Sequence, residues 1–254
     1  MPDEPQIITG VQFNECFFDR CIARLNGYRL TERHSLPPGK RNVDYIIGNF
    51  AVELKILELD PLSSPDHQRS IQRFYREEFP RGPLNVTANR RLIRLTGQLS
   101  QKYWRHILGR PIQRALADAA AQIADTKTFI ELPIRGAVLL VNAGAFPFDP
   151  TSFYRLIVDY RACYPEIEAA HALFGLPTIV SQGSPPVVTY AEVTDSNDSD
   201  ALALGQRIGT SIKTEIELLT GKQSLETPFA LGAGQPKPMF TMTPKGILFR
   251  RFSP

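Results

Sequence analysis

Cysteine, histidine and tryptophan are scarce in this chain, at three, four and one copies. Cys16, Cys21 and Cys163 make neither an even disulfide set nor a Cys-x-x-Cys pair, and His34, His67, His106 and His171 lack the helical pairing of a zinc site. Free thiols and no structural metal are therefore expected. Long apolar runs are missing too: nothing approaches the roughly 18 to 20 residues of a membrane-spanning helix. The opening MPDEPQIITG has neither the basic segment nor the apolar core of a signal peptide. A cytoplasmic location without a membrane partner is expected. Compositional bias is absent as well. With 254 residues, 43% of them hydrophobic and 22% charged, the chain is too apolar for disorder and too mixed for collagen or coiled coil, and it is long enough for one generous domain. Neither Gly232–Gly234 nor Gly205–Gly209 has the context of a phosphate loop.

The net charge of +3 hides a strong segregation. Between Arg69 and Arg114 eleven basic residues stand against Glu77 and Glu78, whereas between Asp149 and Asp200 eight acidic residues face only Arg155 and Arg161. A basic stretch interleaved with Phe74, Tyr75, Phe79, Tyr103 and Trp104 suits a nucleic-acid backbone. Arg90, Arg91, Arg94, Lys102 and Arg105 are its candidate phosphate contacts. The competing reading is a solvated helical surface that pairs with the acidic stretch.

Hydrophobic periodicity predicts a first helix over residues 10–26, opened by a capping box at Thr9 and Gln12 and closed at Asn26-Gly27. A strand near Tyr28–Glu32 follows. Asn42–Ile47 and Phe50–Leu57 then read as a hairpin joined by Gly48-Asn49, the Gly-x pattern of a type II′ turn. Two helices are predicted within the basic stretch, near residues 66–78 and 92–108. Another opens at Pro111, with Ile112, Leu116, Ala119 and Ile123 on one face. The apolar run GAVLLVN (136–142) reads as a strand buried on both faces. Beyond it come a helix at 151–163, a strand near 187–193, a helix at 198–220 and a tail rich in Pro and Gly. The fold class is α/β with a mixed sheet. Residues 1–220 form one domain with a basic insertion at 61–110, and 221–254 are an extension packed on it.

The hairpin register carries the chemistry. With the turn at Gly48-Asn49, Ile47 faces Phe50, Ile46 faces Ala51, Tyr45 faces Val52, and Asp44 is brought opposite Glu53, with Lys55 on their face. Val43, Tyr45, Ile47, Val52, Leu54 and Ile56 make the apolar opposite face. Two opposed carboxylates repel, so the pair calls for an offsetting ligand. A hard divalent cation, magnesium or manganese, held by carboxylates, a backbone carbonyl and water, fits that need. Lys55 beside it can orient water and steady charge on a phosphate. Glu15, only about 20° from Ile22 on the first helix, is expected near the apolar stripe, partly buried and partnered.

Asp44, followed after eight residues by Glu53-Leu54-Lys55, on a hairpin between a glutamate-bearing helix and a helix with a buried strand, resembles the core of the PD-(D/E)XK nuclease superfamily. The resemblance covers residues 9–142. It implies a restriction-endonuclease-like αβββαβ core in which Asp44, Glu53 and the Leu54 carbonyl bind Mg2+ (or Mn2+), Lys55 serves catalysis and Glu15 assists. It also implies a polar residue on the helix after the hairpin: Gln122, with Gln113 as the alternative. The proline that often precedes the aspartate is absent, and the insertion separates the hairpin from that helix. The expected function is a magnesium-dependent DNA endonuclease of restriction or repair type, with RNA left open and a two-fold homodimer as the arrangement that would cut both strands. Two other readings stand beside it. One is a catalytically silent nucleic-acid-binding or assembly module of the same fold; the other is a structural protein whose charged stretches pair.

Overall fold

In a computed structural model of this chain the described residues are 11–35, 37–57, 69, 73, 109–130, 133–143, 150–175, 188–192, 198–220, 224–226, 240–243 and 246–249. Most of the basic insertion, including Arg90, Arg91, Arg94, Lys102 and Arg105, lies outside them, as do the helix predicted near 92–108 and all of the one predicted near 66–78 except Arg69 and Arg73, which are helical.

Helix α1 (Glu15–Arg24) starts later than its periodicity suggests, because Asn14 takes the cap and accepts a hydrogen bond from the Phe17 N–H at 3.0 Å. Thr9 lies outside the described residues. The helix stops in a Schellman motif: Asn26 adopts φ +58°, its N–H donates to the Ala23 carbonyl, and the Gly27 N–H donates to that of Ile22. Strand β1 is only Tyr28–Arg29, and the predicted remainder is a helical turn, α2 (Leu30–Arg33). Leu30 is buried and its N–H donates to the Asp44 carbonyl, a last rung in register with the β1–β2 pairing before the chain turns into α2.

Strands β2 (Tyr45–Ile47) and β3 (Phe50–Leu57) pair in the expected register, Ile47 with Phe50, Ile46 with Ala51 and Tyr45 with Val52. Gly48 has φ +59°, the left-handed value a II′ turn requires at its first position. The remaining elements are α3 (Gly109–Phe129), β4 (Arg135–Asn142), α4 (Pro150–Arg161), β5 (Ala169–Gly175), β6 (Val188–Glu192) and α5 (Ser199–Thr220). Asp198 caps α5 through its carboxylate and the Ala201 N–H.

One six-stranded sheet runs in the order β1-β2-β3-β4-β5-β6, parallel from β3 to β5 and antiparallel at both flanks. The parallel links need crossovers, which α3 and α4 supply. These two helices cover one face through Ile112, Leu116, Ile123, Phe153 and Ile157, and α1 and α5 cover the other through Phe17, Phe18, Ile22, Leu204 and Ile212. The chain is thus a mixed α/β protein. The α4 residues Phe153, Leu156 and Ile157 are spent on this core. Gly109 permits the close crossing of α3 and α4, since a Cβ there would collide with the Tyr160 ring.

The face of the hairpin that carries Glu53 is covered: Glu53 is buried, and β3 packs against α3. Two expectations need correction. Val43 packs with the α3 cluster instead of beside Tyr45, because pairing ends at Tyr45 and the chain bends at Asp44, breaking alternation. Strand β5 was not foreseen, and neither were three short strands in the extension, β7 (Ser224–Glu226), β8 (Phe240–Thr243) and β9 (Gly246–Phe249), which form a second sheet with β8 beside β6. Among the described residues no helix is long and apolar enough to cross a membrane.

Candidate active site

Strands β1, β3, β4 and β5 all run the same way, so their carboxyl ends share one edge of the molecule, where α/β proteins usually place ligands. Asp44 arrives at that edge from the other direction, as the residue before β2. Its Oδ2 accepts from the Leu54 N–H at 2.9 Å, which fixes the carboxylate beside β3 just where β2 has ended. Backbone polarity places Leu54 as well. The Asn49 and Leu57 carbonyls accept from Arg135 and Ala143 on the β4 side, so the intervening even-numbered residues turn the other way, and the Leu54 carbonyl faces the Asp44 side with its N–H.

Glu53 is 2% exposed, and its Oε1 receives Lys55 Nζ at 2.7 Å. Its Oε2 is buried and has no hydrogen-bond partner among the described residues. Burial, followed by repulsion from Asp44, pushes the Glu53 carboxyl up to about 8. Burial also raises Asp44, against the opposing Leu54 N–H and Lys55. Carboxylates strained in this way are costly unless a cation or proton joins them. An orphaned oxygen, a second acid and a carbonyl turned to the same side are a donor set that fits magnesium or manganese. Among the described residues there is no group of three or more His, Cys, Asp and Glu that would hold a metal by side chains alone. Magnesium characteristically takes one or two carboxylates and keeps its waters.

Helix α3 completes the cluster. Gln122 accepts from Lys55 Nζ at 2.6 Å through Oε1, and its Nε2 donates to the Asn42 carbonyl at 2.8 Å. The structure therefore brings Asp44, Glu53, Lys55 and Gln122 together. Gln113 is exposed, and its backbone carbonyl accepts from the Tyr164 hydroxyl at 3.4 Å.

Glu15 is the departure. Its side chain is 70% exposed and pairs with Arg29 at 2.9 Å. The buried stripe of α1 is centred between Phe17 and Ile22, so Glu15, although close to Ile22, lies roughly 90° from that centre on the first open turn. It nonetheless raises Asp44 electrostatically, from the rim.

Sequence reasoning missed several supporting residues. Asp19 accepts from the Tyr45 hydroxyl at 2.8 Å and from Arg29 Nε at 2.7 Å. Burial works against its charge, but the bonds from Arg29 and Tyr45 prevail and hold the carboxyl below its ordinary value. Thr126, fully buried, accepts the Val43 N–H at 3.0 Å, and Asp125 accepts the Arg41 N–H at 3.4 Å and pairs with Lys40. Helix α3 thus grips three consecutive residues, 41–43, immediately before Asp44. The spacing 112, 116, 119, 123 continues to 126, so a threonine on the apolar stripe was the available signal. The three cysteines are free, and Cys21 is buried, with its thiol pushed up to about 12.

No protein-family model, no curated protein and no solved structure matches this chain.

Proposed function

We propose that the chain is a magnesium-dependent nuclease of the PD-(D/E)XK kind, with a restriction-endonuclease-like core, hydrolysing phosphodiester bonds of DNA. The observation that carries this reading is the buried Glu53 with its unpartnered Oε2, set by Asp44 at the carboxyl edge of the sheet. Asp44, Glu53 and the Leu54 carbonyl would hold the ion, which when bound neutralises phosphate charge and acidifies water. Lys55 is the residue that meets the reacting atoms. Its side chain is 23% exposed and its ammonium is oriented by Glu53 and Gln122, so one N–H can be offered to the attacking water or to a phosphate oxygen as negative charge develops. Gln122 is a positioning residue, tying Lys55 to the Asn42 carbonyl and so to the backbone that carries Asp44. Arg29 and Asp19 stiffen the opposite flank.

The basic insertion supplies the counter-charge for the backbone in this reading, through Arg90, Arg91, Arg94, Lys102 and Arg105. A double-strand break needs two such sites in opposite orientation, and a two-fold homodimer would provide them.

The test is incubation of the full chain with supercoiled, linear and single-stranded DNA, with magnesium or with chelator, beside Lys55→Ala. Cleavage that needs magnesium and Lys55 supports the proposal. Binding without cleavage in magnesium and in manganese refutes it and leaves a silent nucleic-acid-binding module.

A further inference from the structure

Two arginines follow one another along the edge of the sheet next to Asp44, and their surroundings differ. Arg29 is neutralised: Asp19 takes its Nε and Nη2, and Glu15 takes Nη2 as well. Arg33 is exposed and has no carboxylate partner among the described residues. Its guanidinium instead lies over the Tyr28 ring, 4.0 Å from the centroid. Tyr28 is braced in turn. Its ring stacks on His34 at 6.1 Å and 21°, and its hydroxyl meets His34 Nε2 at 3.3 Å. A guanidinium held by a ring face keeps its in-plane N–H donors pointing outward, ready for a bidentate acceptor.

The place of this stack is set by topology. Strand β1 runs parallel to β3, so α2 leaves the sheet at the same edge as the carboxylate site. The Leu30 N–H is bonded to the Asp44 carbonyl at 3.0 Å, and Arg33 follows three residues later on a single helical turn, roughly 5 Å further along by helical rise. Arg33 stands beside the site, on the turn that follows the Leu30–Asp44 hydrogen bond.

We propose that Arg33, supported by Tyr28 and His34, grips a backbone phosphate of the nucleic-acid strand next to the one presented to Asp44 and Glu53. This inference rests on the nuclease reading for its substrate class and adds a contact outside the basic insertion. Glu32 on the same turn cancels the charge of Arg33 at long range, so the grip is local: it acts on the docked strand through aligned donors, not through a far-reaching field.

The test is fluorescence anisotropy of the full chain on a labelled duplex and on the matching single strand, in chelator, over a salt series. Arg33→Ala should flatten the slope of log affinity against log salt by about 0.9 on duplex or about 0.7 on single strand, the loss of one phosphate contact. Arg33→Lys should keep the slope and lose several-fold in affinity, because the ammonium cannot reproduce the fork. Tyr28→Leu should weaken binding while the charge is retained. An unchanged slope in Arg33→Ala overturns the proposal, and so does an Arg33→Lys variant that binds as the wild type does. Magnesium-dependent cleavage by the wild type is scored separately. A flattened slope without any cleavage leaves this contact standing and removes the nuclease reading; cleavage with an unaltered slope does the reverse.

Discussion

Replacing Glu53 by Gln in the metal-free protein should make it more stable at neutral and alkaline pH. The carboxyl is raised from 4.5 to about 8 by burial and by Asp44, so between those values the folded chain holds a proton that the unfolded chain has released. Stability then falls as pH rises, starting from the unfolded value near 4.5 and levelling above about 8. At about 1.4 kcal/mol per unit the loss is about 3 kcal/mol at pH 7 and approaches about 5 kcal/mol above pH 8. That is the ceiling, because Gln keeps the acceptor for Lys55 and still buries a polar group where Oε2 lay. Urea unfolding in chelator at pH 5, 7 and 8.5 reads the outcome. The variant should match the wild type at pH 5 and exceed it increasingly at pH 7 and 8.5. Added magnesium should stabilise the wild type and not the variant, by mass action on the folded state. Parallel pH profiles, or a variant weaker at pH 8.5, would refute the reasoning that the site is strained by paired acids.

Three further outcomes follow from the same geometry. Lys55→Ala should abolish turnover while magnesium affinity, measured by calorimetry, is kept or raised, since it removes a competing cation 2.7 Å from Glu53. Thr126→Val leaves the buried Val43 N–H without its acceptor and should cost about 1 to 3 kcal/mol in denaturant unfolding, with Thr126→Ser recovering most of it. His171 is fully buried, and burial, with Arg161 adding to it, lowers its pKa from 6.5 to about 3. Its contribution to stability is therefore complete above pH 6.5 and is lost as pH falls toward 3. His171→Leu should flatten the acid limb of the unfolding profile over that interval.

The sequence was most legible where local rules and burial agree. Gly48 fixes the hairpin register from Ile47–Phe50 to Tyr45–Val52, which carries Asp44 to the level of Glu53; beyond that rung the ladder stops, and the Leu54 N–H places the Asp44 carboxylate. The run 136–142 became the central strand, covered on both faces, and the periodic apolar residues of α3 and α5 became their packing stripes. Strand β5 escaped because Ala169, Ala170, His171 and Ala172 have little intrinsic strand preference; its position between β4 and β6 makes it a strand. Glu15 has the expected partner but not the expected burial, because a residue about 20° from Ile22 still lies roughly 90° from the centre of the buried stripe. Arg29, Asp19 and Tyr45 converge from α1, β1 and β2, a three-element contact that no short-range spacing encodes. Gln122 was readable as a polar residue flanking an apolar stripe, although its bond to the Asn42 carbonyl spans 80 positions.

The most direct measurement is single-turnover cleavage of supercoiled DNA by Asp44→Ala and Lys55→Ala, each first shown by circular dichroism and thermal unfolding to be folded. The account expects the wild type to nick or linearise the plasmid only with magnesium or manganese, and both variants to leave it intact in either metal. Cleavage that persists in folded Asp44→Ala and Lys55→Ala, or that survives chelation in the wild type, would contradict the assignment of the chemistry to this hairpin.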